Sequence, residues 1–149
     1  MIEQGIVLVP TLDVIIDDPY PHEEIEPETE VVIQVVLGIV RFFHNSGGII
    51  ALGNDYGNSG VKPGMPLREM ELLQIVGLSS LEVIEAATRH AANVCGQSDE
   101  LGTLEKGKLA DLIIVDGNPL EDLEVMDAVF YVVKDGEIIL SPNQNGNLY

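Results

Sequence analysis

Positive charge is scarce in this chain. Seven lysines and arginines face 25 aspartates and glutamates, a formal net charge of -18. No cluster of Lys and Arg occurs. That excludes a surface tracking the phosphates of nucleic acid and a face for an anionic membrane. The charge favours solubility and suits a cationic ligand, but it says little about fold. Cysteine is nearly missing as well. Cys95 stands alone, so no internal disulfide forms, which fits a reducing cytoplasm. Long apolar runs are also missing. The longest, residues 31–43, is interrupted by Gln34 and Arg41 and is too short to span a bilayer. The first ten residues have no basic start followed by a long apolar core, so no signal peptide is expected.

What is present is enough apolar residue for a core: 46% of 149 residues. Residues 5–9, Gly-Ile-Val-Leu-Val, read as a short buried strand ended by Pro10. An acidic segment over 13–30 follows, with Pro19, Pro21 and Pro27 forbidding one continuous helix. Its oxygens could take calcium, but the spacing is not that of a calcium loop, so a solvated loop is expected. A helix is expected over 30–45, with Val32, Val35, Val36, Ile39, Val40 and Phe43 inward. A second strand is expected over 49–52. Strand, helix, strand implies a parallel βαβ unit.

A glycine-rich loop over 53–66 leads to a helix ending near Val76, stopped by Gly77. Ser79 with Glu82 three residues on reads as a capping box for another helix. Its core face should be Leu81, Ile84, Ala87, Ala91 and Val94, with Gly96 as its stop. The pattern then turns to strands: 109–115, 128–134 and 137–140, with Asp135-Gly136 as a hairpin turn. The tail, 141–149, is polar and loose. The chain divides into an α/β part, 1–96, and a β part, 97–149.

In a parallel α/β sheet, ligands gather at the carboxyl ends of strands. Two places qualify here: residues 10–13 after the first strand, and Gly53-Asn54-Asp55 after the second. Asp55 could hold a divalent metal or accept a proton from metal-bound water; it could equally cap its own turn. The glycine-rich loop lacks the Gly-Lys-Ser/Thr of a phosphate loop. His22, His44 and His90 show no ligand spacing. His44 suits a helix carboxyl end, His90 a partly exposed helix position, and Cys95 a small buried apolar site.

Five segments, taken in order, resemble a known family. They are Gly5-Ile-Val-Leu-Val-Pro-Thr-Leu12, Ile50-Ala-Leu-Gly-Asn-Asp55, Pro66-Leu-Arg-Glu-Met-Glu-Leu-Leu73, residues 77–92, and Leu101-Gly-Thr-Leu-Glu-Lys-Gly-Lys-Leu-Ala-Asp-Leu112. The series resembles the C-terminal portion of the amidohydrolase superfamily, near its imidazolonepropionase-like and prolidase-like members. The resemblance implies an α/β fold: the last two strands and helices of a (β/α)8, or TIM, barrel, then a small β-sandwich segment. It implies a hydrolase of carbon–nitrogen bonds in small amide substrates, acting through a metal-activated water on one or two divalent ions, zinc foremost. Asp55 matches the family's metal-site aspartate, which is both ligand and proton shuttle. Gly107 and Asp111 match residues that shape the turn into the sandwich.

Two departures stand out. Asn54 replaces the Thr that usually precedes the metal-site Asp. The family's His-x-His, carboxylated Lys or Glu, and two later His have no counterpart. Two strands cannot close a barrel of about 250 residues. The expectation is therefore a fragment, inactive alone. It is completed by a complementary N-terminal chain or by self-association, with the edges of strands 5–9 and 49–52 exposed. The competing expectation is a non-catalytic remnant or subunit serving binding or assembly.

Overall fold

The computed structural model describes residues 1–16, 20–21, 25–57, 61 and 63–141. Part of the acidic segment (Asp17, Asp18, Glu23, Glu24) lies outside the described residues. So do His22, residues 58–60 and 62 of the glycine-rich loop, and the tail 142–149.

Two stretches run parallel at the centre. The Leu8 N–H donates to the Ile49 carbonyl and the Ala51 N–H to the Leu8 carbonyl, each at 2.9 Å. The expected strands thus shrink to a single bridge, Leu8 to Ile50, but their order and direction are as the sequence implies. Between them lie α1 (Leu12–Ile15) and α2 (Pro27–Asn45). α2 starts three residues before the expected Glu30. Pro27 occupies the first turn, where its missing N–H leaves no bond unmade.

The inner face of α2 differs from expectation. Ile33, Leu37, Val40 and Phe43 are buried, whereas Val32, Val35 and Ile39 are 60, 57 and 62% exposed. The helix is apolar on nearly every side, so periodicity alone could not select the face.

α3 (Leu67–Ile75) follows the loop and gives way to Gly77 at φ 114°, a left-handed stop that glycine adopts without strain. α4 (Ser80–Glu85) opens on the expected capping box. The Ser79 side chain accepts from the Glu82 N–H, and a Glu82 carboxylate oxygen accepts the Ser79 N–H at 2.8 Å. Such a cap is worth about 1 kcal/mol. Its hydrogen bonds from Ser79 hold the Glu82 carboxyl below its ordinary range.

The helix then widens into a π-helical turn, Ala86–His90, before α5 (Ala91–Val94). The Thr88 hydroxyl donates to the Ile84 carbonyl at 2.7 Å, competing with the helix ladder at that point. The wider turn shifts the helix face. Beyond it Ala92 is buried and Val94, expected inside, is 50% exposed; before it Val83 is buried and Leu81, also expected inside, is 54% exposed, while Ile84 and Ala87 pack against the core as expected. Ile84, Ala87 and Ala91 line a cleft of about 670 Å³ with Leu109, Leu112 and Val115 across it.

That helix also covers one of the two strand edges expected to be open, that of 49–52. Ile50 and Leu52 point their backbone groups away from Leu8. The Leu52 N–H donates to the Ala86 carbonyl at 3.0 Å, and His90 Nδ1 lies 2.8 Å from the Ile50 carbonyl oxygen. The polar edge of 50–52 is satisfied by a helix instead of a neighbouring strand.

The last third forms an antiparallel sheet in the order β1 (Leu112–Val115), β2 (Val129–Lys134), β3 (Glu137–Leu140). Asp135 and Gly136 sit at φ 53° and 81°, the left-handed pair a tight hairpin turn requires. Asp111 secures this turn: its Oδ1 accepts the Asp135 N–H and its Oδ2 meets Lys134 Nζ, both at 2.7 Å. These partners hold the Asp111 carboxyl below its ordinary range, the Asp135 N–H most strongly. Lys108 ties the preceding loop, donating to the Ser98 carbonyl (2.7 Å), the Leu101 carbonyl (3.2 Å) and Thr103 Oγ1 (2.6 Å). A side chain at Gly102 would strike the Ala92 Cβ at 2.7 Å. The Leu-Gly-Thr-Leu-Glu-Lys-Gly-Lys-Leu-Ala-Asp-Leu stretch is thus a set of loop ties. Gly107 stands in the left-handed region at φ 100°, and Asp111 ties the hairpin at Lys134-Asp135.

The main core lies under α2, α3 and α4, where Leu37, Leu72, Leu73 and Val83 are wholly buried. No helix among the described residues is long and apolar enough to cross a membrane.

Candidate active site at two strand ends

Because Leu8 and Ile50 pair in parallel, their carboxyl ends face the same way. The segments that leave them, residues 10–13 and 53–55, therefore emerge together. Gly53 makes the approach possible: a Cβ there would stand 2.7 Å from Val9 Cγ1. Both exits carry a non-glycine residue in the left-handed region, Thr11 at φ 48° and Asp55 at φ 52°. The conformation costs about 1–3 kcal/mol per residue, more readily borne by Asp than by β-branched Thr. Strain of this kind gathers where backbone must be held for function.

Asp55 is exposed at the rim of this region. A divalent ion needs several donors around it. Among the described residues no group of three or more His, Cys, Asp or Glu side chains is gathered to hold one. The described side chains thus do not by themselves fit a metal at Asp55.

The residue that sequence reasoning missed is Glu69. It lies in α3 with no exposed surface, among Met70, Leu72 and Leu73. Its Oε2 accepts the Asp13 N–H at 2.7 Å, and the Leu12 N–H also bonds the carboxylate. Glu69 thereby caps the first turn of α1 from 56 residues away. Its other oxygen, Oε1, is buried without a hydrogen-bond partner. Burial raises the Glu69 pKa to about 7, against the lowering effect of those two N–H groups. The nearby Asp13 carboxylate adds to the rise and Arg68 opposes it. The sequence did carry a signal. Glu69 stands three, four and seven positions before Leu72, Leu73 and Val76, on the apolar stripe of its helix.

The two described histidines, His44 and His90, serve the scaffold. With Nδ1 against a carbonyl, His90 must carry its proton there, leaving Nε2 to accept from the Arg89 guanidinium at 3.5 Å. His44 ends α2, its Nε2 3.9 Å from Glu82 Oε1. Cys95, expected to be buried, is exposed, because it caps the helix on the solvent side just before Gly96 (φ 68°).

An α/β chain whose polar loops leave two parallel strands at one end has the layout of a strand-end enzyme site. The sequence pattern of the Amidohydrolase family matches residues 8–140, and the chain belongs to that family. It is 29% identical over 117 residues to the imidazolonepropionase of Clostridium tetani, covering 76% of this chain and 28% of that protein. It is 38% identical over 104 residues to the ochratoxinase of Aspergillus niger, covering 65% of this chain and 20% of that one. Among solved structures it resembles a Xaa-Pro dipeptidase with methionine bound in the active site. There the TM-score is 0.76 at 32% identity, over 93% of this chain and 35% of the other. The chain thus spans between a fifth and about a third of the length of these relatives.

Proposed function

We propose that this chain contributes the Asp55 strand end to a hydrolase of carbon–nitrogen bonds and is active only when the rest of a barrel is supplied. The observation that carries the reading is the family match over residues 8–140 together with the place of Asp55 just beyond a parallel strand end. The relatives' names agree in reaction class: imidazolonepropionase and Xaa-Pro dipeptidase both act on carbon–nitrogen bonds. A divalent metal, zinc foremost, belongs to this reading as a group whose other ligands come from outside the chain. Asp55 would then be one ligand and the proton acceptor. On the same reading residues 1–96 belong to the barrel and 97–149 to a sandwich. The outer face of α2 supports a missing neighbour: Val35, Ile39 and Phe42 are 57, 62 and 75% exposed, an apolar patch that water covers poorly.

A second reading, a binding or assembly unit without catalysis, is favoured by the capped edge at Ile50 and Leu52. That capping suits a piece that folds by itself.

The two separate in one assay. The chain is mixed with the part of an amidohydrolase that the relatives have and it lacks, and small amide and imidazolone substrates are offered. Hydrolysis by the mixture, with none by either piece, supports the hydrolase. Association of the pieces without turnover supports the assembly unit.

A further inference from the structure

Glu69 is the one wholly buried ionisable side chain among the described residues, and its two oxygens are in unequal surroundings. Oε2 accepts the Asp13 N–H at the start of α1, while Oε1 is buried without a hydrogen-bond partner. Burial with one oxygen unpartnered favours the neutral acid over the ionised carboxylate. The carbonyl oxygen accepts and the hydroxyl oxygen carries the proton, so no charge is spread onto the unpartnered atom. The group it grips is Leu12-Asp13, next to left-handed Thr11 at the strand end that neighbours Gly53 and Asp55. A β-branched residue at φ 48° stays there only if its surroundings hold it.

We propose that Glu69 is a positioning residue: its buried carboxyl group clamps the Thr11–Asp13 turn beside the Asp55 loop, and the clamp loosens when that group loses its proton. The inference concerns the chain's own folding and stands whether or not the chain is catalytic.

Other charged groups lie around the clamp. From α1, Asp13 disfavours the ionised carboxylate; from α3 itself, Arg68 favours it. Glu71 pairs with Arg68 at 3.2 Å and shares a separate cleft with Asp122, Glu124 and Asp127. From α2, Arg41 donates to the Ile75 carbonyl at 2.8 Å. From α4, Glu82 answers Ser79 and His44.

The direction follows from linkage. With the turn closed the acid keeps its proton up to about pH 7; with the turn open, water reaches it and the ordinary value near 4.5 returns. Between those two values the open form binds fewer protons, so raising the pH favours opening. Stability of the clamp is full below the lower value and has been lost once the pH passes the upper one. The opening equilibrium rises on the order of 100-fold across the window.

The test is amide hydrogen exchange of the full chain at a series of pH values, with protection factors corrected for intrinsic exchange, beside a titration of the Glu69 carboxyl carbon. The wild type should lose protection at Leu12 and Asp13 by one to two powers of ten between about pH 4.5 and 7. Its Glu69 carbon should titrate near neutrality. Glu69→Gln keeps an acceptor for the Asp13 N–H but cannot ionise, so its protection should be high and independent of pH. Glu69→Ala should lose protection at every pH. A wild-type profile without the step, a Glu69 carbon titrating near 4.5, or a step that survives in Glu69→Gln would each overturn the proposal.

Discussion

Asp55→Asn, tested in an assembled enzyme that contains this chain, is expected to lower kcat by about 10²- to 10⁴-fold, the contribution of a positioned general base. KM should change little, because asparagine keeps the size and one oxygen of the carboxylate while giving up its negative charge and proton affinity. The left-handed backbone at φ 52° makes Asn the conservative choice, since Asn also tolerates that region. A loss of turnover can therefore be read as lost chemistry and not as a collapsed loop. Near-normal kcat in Asp55→Asn would remove Asp55 from the reaction and leave it as a turn-forming residue.

Leu72→Ala should destabilise the chain by about 2–5 kcal/mol, from lost burial and the cavity left behind. Leu72 has no exposed surface and sits in the core between α2, α3 and α4. Domains of this size are stable by roughly 5–15 kcal/mol, so such a loss shifts the denaturant midpoint far and can unfold a fraction of the chain. Val31→Ala, at a position 64% exposed on α2, is the control and should change stability by less than about 0.5 kcal/mol. Urea unfolding of the two variants decides the matter. Equal midpoints would mean that the core is not where the structure puts it.

Much of this fold could be read from the residues, because local rules and tertiary packing agree in several places. Ser79 and Glu82 cap a helix by their own chemistry, and Gly77 and Gly96 stop helices where a left-handed residue is required. Asp135-Gly136 sets a hairpin by its backbone preference. Two of the misses share one cause: a side chain's or strand's surroundings were set by residues far away in sequence. On α2 the apolar residues wrap the whole helix, so only the packing of Ile33 and Leu37 chose the inner face. On the following helix a π-helical turn at 86–90 rotated the apolar pattern by part of a turn, and periodicity assumes an unbroken ladder. The edge of 50–52 looked open because nothing in its own sequence announces that Ala86 and His90 will cover it.

The candidate site was legible in the same uneven way. Asp55 was singled out because a polar residue beyond a strand end is a local pattern. Glu69 was passed over because an acid in an apolar stripe is usually an exception to be explained away. Its partner, the amide of Asp13, lies 56 positions off. The family resemblance named Asp55 but gave no reason to look at Glu69, whose part emerges only from burial and from the one oxygen left without a partner.

The central claim is that this chain holds one strand-end carboxylate of a hydrolase site and is completed from outside. Native mass spectrometry of the purified chain after dialysis against zinc tests it most directly. The account predicts no stoichiometric zinc on the chain, whether it runs as a monomer or as a ragged series of aggregates. A discrete oligomer carrying zinc in fixed proportion, with that zinc lost in Asp55→Asn, would contradict it and show that copies of this chain build the site among themselves.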